Sequence, residues 1–182
     1  MAMHLSETAA AAAAPVVLSD QQEMEALDSC HREVLGALRG LVTLLDHLDA
    51  QGVDATARRL AADAVRFFSE TARAHHADEE RVVFPGLLRS DDAVLVQHVQ
   101  RLQQDHGWLE EDWLSLSPQL DAVSKGYSWY DIDELRHAVD IFTALYQDHI
   151  DLEESLIYPE ARRLLAARTD AGRGRERAAA RR

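Results

Sequence analysis

Two short segments of the chain repeat each other in residue types that bind cations. Residues 75–85 read HHADEERVVFP and residues 149–159 read HIDLEESLIYP, so a His, two Glu, two apolar residues, an aromatic and a Pro recur at one offset of 74. Phe68 and Phe142, each seven residues before the leading His, keep that offset. A further His stands upstream of each block, His31 at 44 residues before His75 and His106 at 43 before His149. Residues four apart on a helix lie on one face, one turn along, so His75 with Glu79, and His149 with Glu153, can each grip one object. Ionised carboxylates are costly to bury unpaired, and four imidazoles with two carboxylates in one core call for a compensating charge that a metal supplies. Imidazole with carboxylate suits iron, zinc, copper or nickel better than magnesium or calcium. Six ligands exceed a tetrahedral zinc and suit two six-coordinate ions bridged by the Glu pair, with positions left for water or a small ligand. Two irons are the expected pair, with two manganese ions or an iron–zinc pair behind them.

Four helices are needed to bring these side chains to one depth, and the apolar pattern supplies them. Ser19 with Gln22 forms a capping-box pattern that opens a first helix running to about Ala50, with a stripe of Leu27, Val34, Leu38, Leu41, Leu45 and Leu48. A second helix runs from near Asp54 through Leu60, Ala64, Phe67, Phe68 and Thr71 towards Pro85, which stops or restarts a helix. A third is capped by Asp91 or Asp92 and reaches about Leu116, with room for an extra turn before Gly126; a fourth runs from Asp131 to Tyr158, and Pro159 restarts a short accessory helix over Glu160 to Ala167. The expected fold is all-α, an up-down-up-down antiparallel four-helix bundle. Neighbours in such a pair are level when equally far from their shared turn. Counted from residue 52, His31 lies 21 before and His75 23 after; from residue 128, His106 lies 22 before and His149 21 after; from residue 90, His75 lies 15 before and His106 16 after. All four imidazoles therefore fall in one slice, with Glu79 and Glu153 one turn away on the same side.

His31, then His75 with Glu79, Glu80, Phe84 and Pro85, then His106, then His149 with Glu153, Glu154, Tyr158 and Pro159 together resemble the hemerythrin family in its bacterial HHE cation-binding form, over about residues 20–165. The resemblance implies a non-haem di-iron centre bridged by Glu79, Glu153 and an oxo or hydroxo group, with His31, His75, His106 and His149 as terminal ligands. It implies a protein that binds oxygen, nitric oxide or peroxide as a sensor, buffer or metal store, or alternatively an enzyme with catalase-like or nitric oxide reductase activity. One departure stands out: oxygen-carrying members have a second His four residues before the third-helix ligand, where this chain has Leu102. A missing ligand opens a position on one iron and favours peroxide or nitric oxide chemistry, or sensing, over oxygen carriage. Glu110 is a candidate substitute, although by the depth count it points away from Glu79 and Glu153.

The other polar residues are expected to be structural. His76 is rotated about 100° from His75 and should face outward or towards a neighbouring helix. His98, His47 and His137 lie off the slice, and His4 lies in the N-terminal tail. Glu80 and Glu154 are turned about 100° from the first Glu of each pair, towards solvent or a hydrogen bond to a ligand His. Phe68, Phe142, Phe84 and Tyr158 read as core that limits water access, and Tyr146 either packs or meets a bound ligand. Trp108, Trp113, Trp129 and Tyr130 pack the 117–130 connection, and Cys30 is a small packed residue. The chain has 182 residues and a net charge of −13, which disfavours nucleic acid as a partner. A single cysteine removes disulfide and thiolate-cage chemistry, and no apolar stretch is long enough to span a bilayer. Residues 1–18 read as a disordered Ala-rich tail without the basic start of a secretory signal, which points to the cytoplasm. The bundle is expected over 19–167, and 168–182 as a disordered basic tail; the oligomeric state is not legible.

Overall fold

Aspartates open three of the rods and glycines close two. The side chains of Asp54, Asp92 and Asp131 accept from backbone N–H groups in the first turn that follows each, satisfying donors that a helix start leaves without partners. Gly52 and Gly126 hold φ of +71° and +91°, the left-handed conformation that ends a helix without a Cβ penalty. Beyond Gly126 the Tyr127 N–H reaches back to the Ala122 carbonyl at 2.9 Å. Asp131 serves two N–H groups at 3.0 Å each. Asp131→Ala should therefore cost about 1 kcal/mol and lower the melting temperature by roughly 2–4 °C, read by thermal circular dichroism.

The structure, a computed structural model, describes residues 20–179, and every regular element among them is helical. The first rod is α1 (Asp20–Gln51). The second runs α2 (Ala55–Arg66), π1 (Phe67–Ala72), α3 (Arg73–Asp78), π2 (Glu79–Val83) and α4 (Phe84–Leu87). The third is α5 (Ala93–Ser124), and the fourth runs α6 (Ile132–Leu152), π3 (Glu153–Ile157) and α7 (Tyr158–Ala179). α1 packs on α2 and α6, and α5 packs on the same two, so the rods form an up-down-up-down antiparallel bundle.

Three boundaries differ from the sequence expectation, each for a backbone reason. Pro85 and Pro159 lie in the first turn of α4 and α7, as a restarting proline does, but neither breaks its rod. Each follows a widened π turn, in which the Phe84 N–H bonds to the Glu79 carbonyl and the Tyr158 N–H to the Glu153 carbonyl. The wider turn takes up a residue whose ring otherwise collides with the carbonyl four residues back. The accessory helix is therefore continuous with the fourth rod, and the helix carries on through the basic segment from Arg168 to Ala179. α5 runs unbroken through Pro118 to Ser124, so the extra turn allowed before Gly126 is part of the helix itself rather than a separate piece beyond Leu116. The carbonyl left unpaired there belongs to Leu114, a residue 62% exposed, where water can reach it. The Ser19 cap and the Ala-rich segment 1–18 lie outside the described residues.

The apolar interior is divided in two. One cluster gathers Leu38, Leu41, Leu45, Phe68, Trp113, Leu116, Leu120, Val139 and Phe142 towards the Gly52 and Gly126 turns. The other gathers Leu27, Val83, Phe84, Leu87, Val99, Leu102, Ile157 and Tyr158 towards the opposite end. Between them lies a layer of buried polar groups: His31, His75, Glu79, Asp105, His106, His149 and Glu153. No helix among the described residues is long and apolar enough to cross a membrane.

Candidate metal centre

The polar layer is built from the repeat. His31 comes from α1, His75 and His76 from α3, Glu79 from the start of π2, His106 from α5, His149 from α6 and Glu153 from the start of π3. Two groups of donor atoms form, each within 4.8 Å: His31, His75, Glu79 and Glu153, and His76, Glu79, His106 and His149. All six residues expected from the sequence are thus brought together, and Glu79 belongs to both groups. Its Oε1 lies 3.3 Å from His75 Nε2 and its Oε2 3.4 Å from His106 Nε2. Glu153 belongs to the first group alone, and a single oxygen, Oε2, lies 3.1 Å from His31 Nε2 and 3.2 Å from His149 Nε2.

Of the two directions expected for His76, outward or towards a neighbouring helix, the structure takes the second, and this brings it into the cluster. It turns towards the third rod, stacks on His106 with centroids 4.1 Å apart, and lies 5.5 Å from His149. Its signal was present in the sequence: His76 and Glu79 are three apart, a spacing that shares a helix face as well as the spacing of four does. Two adjacent histidines on α3 therefore flank Glu79 and serve the two groups separately. Glu110, by contrast, is absent from both groups and pairs with Arg73 at 3.6 Å. Leu102 is fully buried in the apolar cluster beside Tyr158. His47 bonds Asp54 at 2.8 Å, and His137 is exposed.

The outer face of the ring is anchored by carboxylates. Glu154 Oε1 lies 3.1 Å from His31 Nδ1, and Glu80 Oε1 lies 2.9 Å from His106 Nδ1. An ionised carboxylate only accepts, so each Nδ1 carries the proton and donates it, which leaves Nε2 to face the interior. Glu80 and Glu154 are about half exposed, so they combine the two roles the sequence suggested. Asp105, buried beside His106 and not singled out from the sequence, places Oδ2 3.9 Å from His149 Nδ1. Removing such an outer partner weakens metal binding by about 10–100-fold. Glu80→Ala and Glu154→Ala should each do so in equilibrium dialysis while keeping the fold.

Electrostatics and satisfaction both ask for a cation. Burial pushes the His75 imidazole down to about 4, and burial with the His106 charge holds His76 well below its ordinary value. Burial also opposes charge on Glu79, but the His106 ring 3.4 Å away and the other surrounding imidazoles outweigh it and hold that carboxyl below the usual range. Burial and the Glu79 charge push Glu153 well above it. His31 is raised, since contacts with Glu153, Glu79 and Glu154 outweigh its burial. The inward-facing atoms His106 Nε2, His149 Nε2, Glu79 Oε2 and both Glu153 oxygens have no hydrogen-bond partner, nor has His76 Nε2. Buried polar atoms are seldom left so, and converging nitrogen and oxygen lone pairs are the donor set of a transition metal. The residues fit a pair of cations sharing Glu79.

The comparisons agree with the geometry. A family model described as the hemerythrin HHE cation binding domain matches residues 23–161. A Haemophilus influenzae protein, itself named only as uncharacterised, is 31% identical over 135 residues, covering 74% of this chain and 76% of the relative. No solved structure matches the chain significantly. With the matched span holding every donor in the polar layer, the chain belongs to the hemerythrin HHE cation-binding family.

Proposed function

We propose that the protein is a non-haem di-iron protein of the cytoplasm that binds oxygen, nitric oxide or peroxide reversibly, as a sensor, buffer or metal store. The observation that carries this reading is the pair of donor groups sharing Glu79. Five imidazoles and two carboxylates are too many for one ion and suit two six-coordinate irons with a position left over. Two manganese ions suit so many nitrogens less well, and in an iron–zinc pair the zinc would favour four ligands over six. Bound iron supplies reversible one-electron chemistry; the chain supplies the donors, their orientation through Glu80 and Glu154, and the exclusion of bulk water by the two apolar clusters.

His76 alters the balance between binder and enzyme. Leu102 leaves the third rod one imidazole short, and that shortfall is the reason to favour open-site peroxide or nitric oxide chemistry, or sensing, over oxygen carriage. His76 delivers the imidazole from the second rod instead, so the group with His106 and His149 has three nitrogens and the reason falls away. A cavity of about 460 Å³ lined by Cys30, Thr71, Ala74 and His75 gives a small ligand an approach to the other group. The net charge of −13 favours such a ligand over nucleic acid.

Metal analysis of the purified protein with an optical spectrum in air tests the centre. About two irons per chain with oxo-to-iron charge-transfer bands is the expected result, and a folded chain that takes up no iron would end the proposal. Added hydrogen peroxide then separates the classes, because steady oxygen evolution over many turnovers would replace the binder by a catalase-like enzyme.

A further inference from the structure

The internal duplication makes the two cation positions comparable atom by atom. Superposing one block on the other exchanges His31 with His106, His75 with His149, Glu79 with Glu153 and Glu80 with Glu154. The contacts follow that exchange. Glu154 holds His31 as Glu80 holds His106. Tyr158 stacks on His31 at 5.0 Å and 9°, as Phe84 stacks on His106 at 5.6 Å and 16°. Within that symmetry the fully buried Tyr158 stands where the other half has Phe84.

The Tyr158 hydroxyl is not idle. It donates to Glu79 Oε1 and lies 3.1 Å from His31 Nε2. Phe84 has no hydroxyl to do the same for Glu153, and both Glu153 oxygens are without a hydrogen-bond partner. Of these two carboxylates, one is clamped by a neutral donor and the other is not. The clamped oxygen, Oε1, is the one that faces His75 at 3.3 Å.

We propose that Tyr158 is a positioning residue for the cation held by His31 and His75: by fixing Glu79 Oε1 it makes the two positions of the duplicated site unequal. This rests on the two-cation reading above. A hydroxyl that orients a ligating carboxylate acts as the outer carboxylates do on imidazoles, by removing the orientations in which the ligand misses the metal. The position beside Tyr158 gains oxygen character, and the position beside His76 gains nitrogen.

Titration of the full-length, metal-free protein with cobalt(II), followed by its visible d–d bands, tests this. The unaltered protein should show two spectrally distinct classes of site. Tyr158→Phe should weaken one class by about 10–100-fold and leave the other unchanged. His76→Ala should weaken the opposite class. A purely structural role for Tyr158 would lower both classes together, and that result overturns the proposal, as does loss of the same class in both variants. Two identical classes in the unaltered protein overturn it without any variant. Failure of the unaltered protein to bind cobalt or iron at all removes the two-cation reading itself, whereas two ions bound with Tyr158→Phe unaffected removes only the role of Tyr158.

Discussion

Stripping the bound cations with a chelator should lower the melting temperature by about 8–16 °C. The figure follows from linkage: free metal at about 1,000 times its dissociation constant stabilises the folded state by roughly 4 kcal/mol, and a chain of this size shifts by about 2–4 °C per kcal/mol. The structure says why the loss falls on the whole fold. The polar layer separates two apolar clusters, and all four rods contribute to it, so a cation there ties the four together across a plane that has few apolar contacts of its own. Without it, carboxylates and imidazoles must be buried with several inward atoms unpaired. His75→Ala, which removes a donor from one group and leaves the other complete, should keep only part of the metal-dependent increment and melt between the loaded and the stripped protein. His98→Ala, off the layer, should melt as the unaltered protein does in both conditions. Differential scanning calorimetry with and without chelator reads all three, and equal melting temperatures for the loaded and stripped unaltered protein would show that the layer holds no stabilising ion.

Much of this arrangement was legible because it follows from counting along helices. Gly52, Asp92 and Asp131 mark turns by backbone chemistry, and a rise of about 1.5 Å per residue converts distance from a turn into depth. Depth was enough to place His31, His75, His106 and His149 together. Rotation was harder to read, because it depends on the local number of residues per turn, and three π turns break the regular count. No composition rule announces a π turn, although each proline placed directly after Phe84 or Tyr158 is consistent with one. A rotation of about 100° from His75 turns His76 outward or towards a neighbouring helix, and rotation alone does not mark it as a donor. Between two cation positions, however, adjacent residues on one helix can face one position each. Asp105 was missed for a related reason: its partner is across the bundle on α6, and nothing adjacent in sequence signals it. The continuation of α5 beyond Pro118 depends on a solvent-facing carbonyl, which only the packed structure shows.

Glu153→Gln should act in opposite directions on the loaded and metal-free protein. In the metal-free protein Glu79 and Glu153 are neighbours in a dry layer, and like charges so placed do not both ionise readily. Burial and the Glu79 charge raise Glu153, whereas the imidazoles keep Glu79 ionised. A carboxyl whose folded value is raised contributes stability that is complete below its unfolded value and is lost as pH rises through the folded one. The metal-free protein should therefore lose stability as pH rises from the ordinary carboxylate range through the raised Glu153 value. Glutamine keeps the shape of the protonated side chain and cannot ionise, so the variant should lack that decline. The acid side differs: His75, lowered to about 4, and His76, lowered further in direction, contribute stability that is lost as pH falls from their unfolded value through the folded ones, and the substitution should leave this flank largely in place. Metal reverses the sign, because a cation needs the charge that burial opposes. Removing one charged partner of a buried pair costs about 3–5 kcal/mol, so metal affinity should fall by roughly 10²–10³-fold or more. Thermal melts across pH, with and without metal, read both effects. Equal pH profiles for the two metal-free proteins would mean that Glu153 is not the group that resists ionisation, and unchanged metal affinity would remove it from the donor set.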